Sequence, residues 1–209
     1  MRVTAQTKAA TRERIIDAAR QLFAANGFEA STTRDIADTA GIASGTLFNY
    51  FATKEDILAS LAAEAVAGAN QVFEERTPGL GSFEEELFAF VSAGLRKLKP
   101  LRTHLTVLLE RALSPLAAVA IDGNQSLRVA HLEIVARLAK HHRGELDPVA
   151  LQLYWTLYTG VLMFWANDRS PKQEDTLALL DQSLSMFVGW LEKEDTTKGG
   201  EPCPRRSKN

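Results

Sequence analysis

The stretch IADTAGIASGTLFNYF, residues 36–51, decides the fold. It is too polar for a core helix and too apolar for a loop. Gly41 divides it into two short helical pieces, each far below the roughly 12–15 residues at which an isolated helix becomes marginally stable. Two such pieces persist only if a third helix supports them. The preceding segment supplies one: Ile15, Ile16, Ala19, Leu22 and Phe23 recur at helical spacing from Thr11 onward. That helix should end at Asn26-Gly27, where Gly27 suits a left-handed cap and Phe28 packs back. Thr32-x-x-Asp35 reads as a capping box opening the second helix. Ala37 is small enough for a close helix crossing, and Gly41 suits a turn of positive φ. Ile36, Ile42, Leu47 and Phe51 then point into a small three-helix core. This Ala-x-x-x-Gly-x-x-x-x-x-Leu frame is that of a helix-turn-helix, whose second helix enters a DNA major groove. Ser44, Gly45, Thr46, Phe48 and Asn49 are left as its outward, groove-facing residues.

The rest of the 209-residue chain reads as helix as well. Apolar residues recur with a period near 3.6, and alternation of the strand type is missing. Helices are expected at 11–26, 32–39, 44–50, 53–76, 82–97, 100–113, 124–143, 148–167 and 171–193, about nine in all, with a short turn at 115–120. Thr53-x-x-Asp56 and Ser82-x-x-Glu85 supply two further capping boxes. Asp147-Pro148 and Ser170-Pro171 each set a capping residue before a proline at the first helical position. The tail DTTKGGEPCPRRSKN (195–209) is polar and reads as disordered. The expected organisation is an all-α chain: a helix-turn-helix domain over 1–52, a helical body over 53–194, and the tail.

Charge and cysteine content narrow the classes. Residues 1–54 carry a net +2 and the remainder −4, a mild asymmetry that suits a DNA-facing first domain and a solvated acidic body. The lone cysteine, Cys203, excludes an intrachain disulfide and a cysteine-cluster zinc site, and fits a reducing cytoplasm. No apolar leader is visible at the start. The longest apolar run, YWTLYTGVLMFWA (154–166), is shorter than the roughly 20 residues of a membrane span, so no membrane partner is expected.

The segment GFEASTTRDIADTAGIASGTLFNYFATKEDIL (27–58) closely resembles the DNA-binding domain of TetR/AcrR-family transcriptional regulators. The resemblance covers roughly residues 11–58. It implies a homodimer that sets two recognition helices in a pseudo-palindromic operator. It also implies a C-terminal domain that binds a small, apolar or aromatic effector and dimerises through its last two helices, with effector binding releasing the DNA. Carried onto this chain, it implies that Thr32, with Thr33 and Arg34 beside it, meets a phosphate. Thr46 would touch the DNA backbone, and Gly45 would let the main chain come close. Asn49 would read adenine or bond a phosphate, and Lys54 would contact a phosphate at the start of the fourth helix. Lys8, Arg12 and Arg14 would add contacts from the N-terminal arm. Three positions depart from the family pattern. Ala43 replaces the usual serine cap of the recognition helix, with Ser44 next to it. Phe48 replaces a tyrosine, exchanging a phosphate-binding hydroxyl for a thymine-methyl contact. Tyr50 replaces a histidine and keeps a hydroxyl for a phosphate.

The body offers fewer signals. His131, Trp155 and Tyr158 are the candidates for an effector pocket, the alternative being plain core. The last helix carries two apolar stripes, one with Leu177, Leu180, Leu184, Phe187 and Leu191 and one with Leu179, Met186 and Trp190. A helix apolar on two faces has two surfaces to bury, its own core and a second subunit. Gly160, Leu177, Leu180, Leu184 and Phe187 are the interface candidates. No catalytic residue, metal ligand or cofactor is expected: the Glu-x-x-His pairs of di-metal bundles are missing, and His141 and His142 point about 100° apart on a helix. A constitutive DNA-binding protein or a helical interaction module without effector is the competing reading.

Overall fold

The computed structural model describes residues 5–74, 81–106 and 127–199. Among these it is all helix, with no strand. Eight α-helices are present among the described residues: α1 (Ala5–Asn26), α2 (Thr33–Thr39), α3 (Ser44–Leu47), α4 (Lys54–Glu74), α5 (Phe83–Leu98), α6 (Leu127–His142), α7 (Pro148–Asn167) and α8 (Glu174–Gly199). Short 3₁₀ segments occupy Lys99–His104 and Pro171–Gln173. The expected turn at 115–120, most of the expected helix 100–113, and residues 200–209 with Cys203 lie outside the described residues.

The chain divides into two compact units. One comprises 1–77 with 90–131, the other 78–89 with 132–209.

In the first unit α1 packs on both α2 and α4, and α2 packs on α3. The core is built from Ile15, Ile16 and Phe23 of α1, Ile36 and Ala37 of α2, Leu47 of α3, Phe51, and Ile57 and Leu58 of α4, all buried. Full burial of each large apolar side chain is worth about 1.5–3 kcal/mol, and this offsets what short helices lack on their own. Gly27 adopts φ +84° and Gly41 φ +67°, the left-handed turns the sequence calls for. The α1 helix starts earlier than Thr11. Thr11 is an interior residue whose hydroxyl donates to the Thr7 carbonyl at 2.9 Å, and the alanine-rich 5–10 stretch favours helix. The helix at α3 is shorter than 44–50. Beyond Leu47 the winding tightens, with Tyr50 N donating to Leu47 O at 2.9 Å, a three-residue step.

In the second unit α7 and α8 pack on each other along their length. Asp147 caps α7, accepting from Ala150 N at 2.8 Å, with Pro148 at the first position. The turn between the two helices is held by Asp168. Its carboxylate accepts from Ser170 N at 2.7 Å, from Thr176 N at 3.1 Å and from the Thr176 hydroxyl at 2.5 Å. Those bonds, the Thr176 hydroxyl first, hold the Asp168 carboxyl well below the usual carboxylate range. The run 154–166 extends at both ends into α7, whose 20 residues are long and apolar enough, by length and composition alone, to cross a membrane. Tyr154, Trp155, Tyr158, Val161, Leu162 and Trp165 of this helix are nevertheless buried within the protein.

Candidate nucleic-acid interface

The first wall of the site is the start of α2. Thr32 is its N-cap in extended backbone conformation (φ −101°, ψ 159°). Its hydroxyl accepts from Asp35 N at 3.1 Å, and Asp35 Oδ2 accepts from Thr32 N at 2.9 Å. The Thr32 hydroxyl also donates to that carboxylate at 2.6 Å. These bonds, the side-chain one first, lower the Asp35 carboxyl pKa. Arg34 is exposed on the first turn and Thr33 is half-buried.

The second wall is α3. Ala43 keeps the N-cap backbone (φ −67°, ψ 143°) but supplies no side-chain bond, so the cap that serine would give is lost. Leu47 is fully buried and anchors the helix. Ser44, Gly45, Phe48 and Asn49 are exposed, while Thr46 and Tyr50 are half-buried. Positions 44 and 48, and 45 and 49, lie one turn apart, so the four form one continuous outward face. Phe48 is 53% exposed, an apolar ring among small and polar neighbours.

The basic residues divide. Lys8 and Arg14 are exposed on α1. Lys54, expected to reach a phosphate, is turned inward: its Nζ donates to the Phe28 carbonyl at 2.7 Å and lies 4.1 Å from the centre of the Phe28 ring. Arg12 is likewise turned in, donating to Ser60 Oγ at 3.1 Å with its guanidinium 5.2 Å from the Phe51 ring centre. The ring beneath each cation is the reason, since a buried aromatic face attracts the charge.

The effector candidates are all buried. His131 belongs to the first unit, its ring 4.8 Å from that of Phe90. Burial pushes its pKa down to about 3, so it is a neutral imidazole at neutrality. Trp155 and Tyr158 belong to the second unit, with ring centroids 5.5 Å apart. Burial raises the pKa of both Tyr154 and Tyr158, and neither ionises in the physiological range.

The interface candidates need a correction. Leu180, Leu184 and Phe187 are buried in the second unit's own core, where Phe187 meets Tyr154 at 5.6 Å. They face the protomer's interior and are not available to a second subunit. Gly160 and Leu177 remain exposed. The exposed large apolar side chains of this pair are instead Met163 and Phe164 on α7 and Leu177, Leu179 and Met186 on α8, with Leu179 and Met186 sharing one face. The pattern Gly160-Met163-Phe164, at i, i+3 and i+4, was the available signal.

A three-helix unit with a capped second helix, a left-handed glycine turn and an exposed third helix defines a helix-turn-helix DNA-binding protein. Residues 15–61 match the family described as bacterial regulatory proteins, tetR family. Over 78 residues it is 40% identical to the fatty acid metabolism regulator protein of Bacillus subtilis (strain 168), covering 37% of this chain and 40% of that protein. The first curated relatives are matched over only a quarter to about half of their own length. Solved structures extend the likeness of fold. The transcriptional repressor FadR of Thermus thermophilus, in complex with lauroyl-CoA, superposes with a TM-score of 0.65 at 22% identity, covering 95% of this chain and 99% of that one. The regulator FadR from Bacillus subtilis, in complex with stearoyl-CoA, gives 0.58 at 27% identity, covering 84% and 97%. These relatives are regulators rather than enzymes.

Proposed function

We propose that this protein is a ligand-responsive repressor that binds a pseudo-palindromic operator as a homodimer. The observation that carries the reading is the face of α3: Ser44, Gly45, Phe48 and Asn49 stand exposed while Leu47 behind them is fully buried. That is the arrangement a recognition helix needs to reach base edges. Thr32, Thr33 and Arg34 would hold the phosphate backbone on one flank, with Thr46 and Tyr50 on the other. Residues 1–52 form the reading domain and 53–194 the effector and dimerisation domain, in the cytoplasm.

The exposed apolar surface of α7 and α8 supports the dimer. Exposed large apolar side chains grouped on a helix face commonly mark a protein interface. Gly160, Met163 and Phe164 of α7 with Leu179 and Met186 of α8 would meet their counterparts across a two-fold axis. For the effector, the complexes of two structural relatives with lauroyl-CoA and stearoyl-CoA support a long-chain acyl thioester of coenzyme A. The apolar second unit, with Trp155 and Tyr158 of α7 as lining candidates, suits such a chain.

The experiment is fluorescence anisotropy of the full chain on duplex DNA from upstream of its own gene, or on duplexes selected from random sequence. Tight binding over a scrambled duplex, reversed by micromolar lauroyl- or stearoyl-CoA, is the expected result. Tight binding that no acyl-CoA reverses would favour a constitutive or differently controlled DNA-binding protein. No binding at low salt would overturn the DNA-binding reading.

A further inference from the structure

Lys54 and Arg12 are cations that the family resemblance places on DNA phosphates, yet each has its charge engaged inside the first unit. The Lys54 ammonium donates to the Phe28 carbonyl at 2.7 Å and stands 4.1 Å above the Phe28 ring. The Arg12 guanidinium donates to Ser60 Oγ at 3.1 Å and stands 5.2 Å from the Phe51 ring centre. Both rings are core: Phe28 and Phe51 are buried. Phe28 is itself held on other sides by Phe23 of α1 at 5.1 Å and by His104 of the 3₁₀ segment at 5.5 Å. Burial of the His104 ring lowers its pKa, opposed by the Glu29 carboxylate and aided by the Lys54 ammonium. Phe28 therefore faces a neutral ring on one side and the Lys54 cation on another.

The two contacts grip α4 at different heights. Lys54 begins the helix and holds the turn after α1; Ser60 lies about 9 Å further along and is held by Arg12 from α1. An attachment at one point lets a helix swivel, and two points fix its rotation. Because α3 is joined to α4 through 48–53, the rotation of α4 sets how α3 is presented.

We propose that Lys54 and Arg12 are positioning residues of the reading domain and not phosphate ligands: through Phe28 and Phe51 they lock α4 to α1 and so aim α3. The proposal rests on the DNA-binding reading, and its test has an arm that does not need DNA.

The test compares the full-length protein with Lys54→Met, Phe28→Leu and the double variant. Methionine keeps the apolar stem and removes the charge. Operator affinity is measured by anisotropy between roughly 50 and 300 mM KCl, a range in which counterion release is readily resolved. Amide hydrogen exchange is measured on the DNA-free proteins. A positioning role predicts that Lys54→Met weakens binding about tenfold, the scale of one partly buried cation–ring contact with its hydrogen bond. The slope of log K against log salt stays unchanged. Exchange quickens at the start of α4 in the absence of DNA, and the double variant loses no more than Phe28→Leu alone. Arg12→Met behaves like Lys54→Met. A slope shallower by about 0.9 for each reading head, with exchange unaltered and losses that multiply, would overturn the proposal, because that is the signature of a lost phosphate contact. If the unaltered protein binds no DNA, the functional reading fails. The exchange arm still decides the lock: faster exchange at α4 supports it and unchanged exchange sinks it.

Discussion

The reading domain and the α7–α8 pair solve opposite problems. In the reading domain α2 and α3 are too short to stand alone. Local bonds fix the chain around them: Thr32 with Asp35 before α2, the Gly41 turn between them, and Thr53 with Asp56 at the start of α4, where Asp56 Oδ2 accepts from Thr53 N at 2.9 Å. In the α7–α8 pair the helices are long and apolar on more than one side. Their ends are capped too, but end chemistry does not say which side goes in. A short helix is specified by its termini, a long one by the partner it packs against.

The largest expected effect sets the two faces of α8 against each other. Leu184→Asp places a carboxylate in the core and should cost more than about 4 kcal/mol, enough to unfold the second unit. Met186→Asp, at a position 62% exposed, should leave the melting temperature nearly unchanged and shift sedimentation from dimer to monomer. A folded but monomeric Leu184→Asp protein, with Met186→Asp unfolded, would mean that the inner and outer faces are exchanged.

Next in size is an acid sensitivity from α6. His131 has a folded pKa near 3, below its ordinary 6.5. As pH falls below about 6.5 the unfolded chain takes up a proton that the folded chain refuses. Stability is therefore full above that value and declines through the window down to about pH 3, by up to about 1.4 kcal/mol per pH unit. Urea denaturation at pH 7 and pH 5 should show the loss, and His131→Leu should shrink it. Equal pH dependence in both proteins would count against a buried neutral His131.

Smaller effects belong to the helix ends. Thr32→Ala removes the α2 cap and should cost about 1 kcal/mol in a urea melt, with weaker DNA binding. The smallest change runs the other way. Ala43→Ser adds the missing hydroxyl to backbone already in cap conformation, and should stabilise the free domain by about 0.5 kcal/mol. Slower amide exchange in α3 of the DNA-free protein would register it; no change would indicate that the α3 terminus gains nothing from a cap.

Much of the reading domain was legible from residues alone. The capping boxes at Thr32, Thr53 and Ser82 form as their three-residue spacing indicates, and both glycine turns take positive φ. Helix limits were less exact where they depend on weaker signals. The α1 helix begins at Ala5 because alanine and glutamine sustain it without a periodic apolar face, and α8 continues to Gly199 past the expected end at 193. For α8 the mistake lay in choosing between stripes. The leucine-rich stripe looked sticky enough for a partner, but the strongest apolar stripe of a helix is the one its own core takes first. Leu180, Leu184 and Phe187 went inside, leaving Leu179 and Met186 outside.

The sequence by itself determined the helix-turn-helix, its caps and turns, and the outward set on α3. Those features depend on residues three to ten positions apart, and their chemistry is local. Tertiary structure alone decided where Lys54 and Arg12 direct their charge and which face of α8 stays open. Lys54 finds its acceptor 26 residues away and Arg12 finds its own 48 residues away. A long cationic side chain turns toward solvent or toward a ring according to what folding brings beside it, and no spacing in the chain records that.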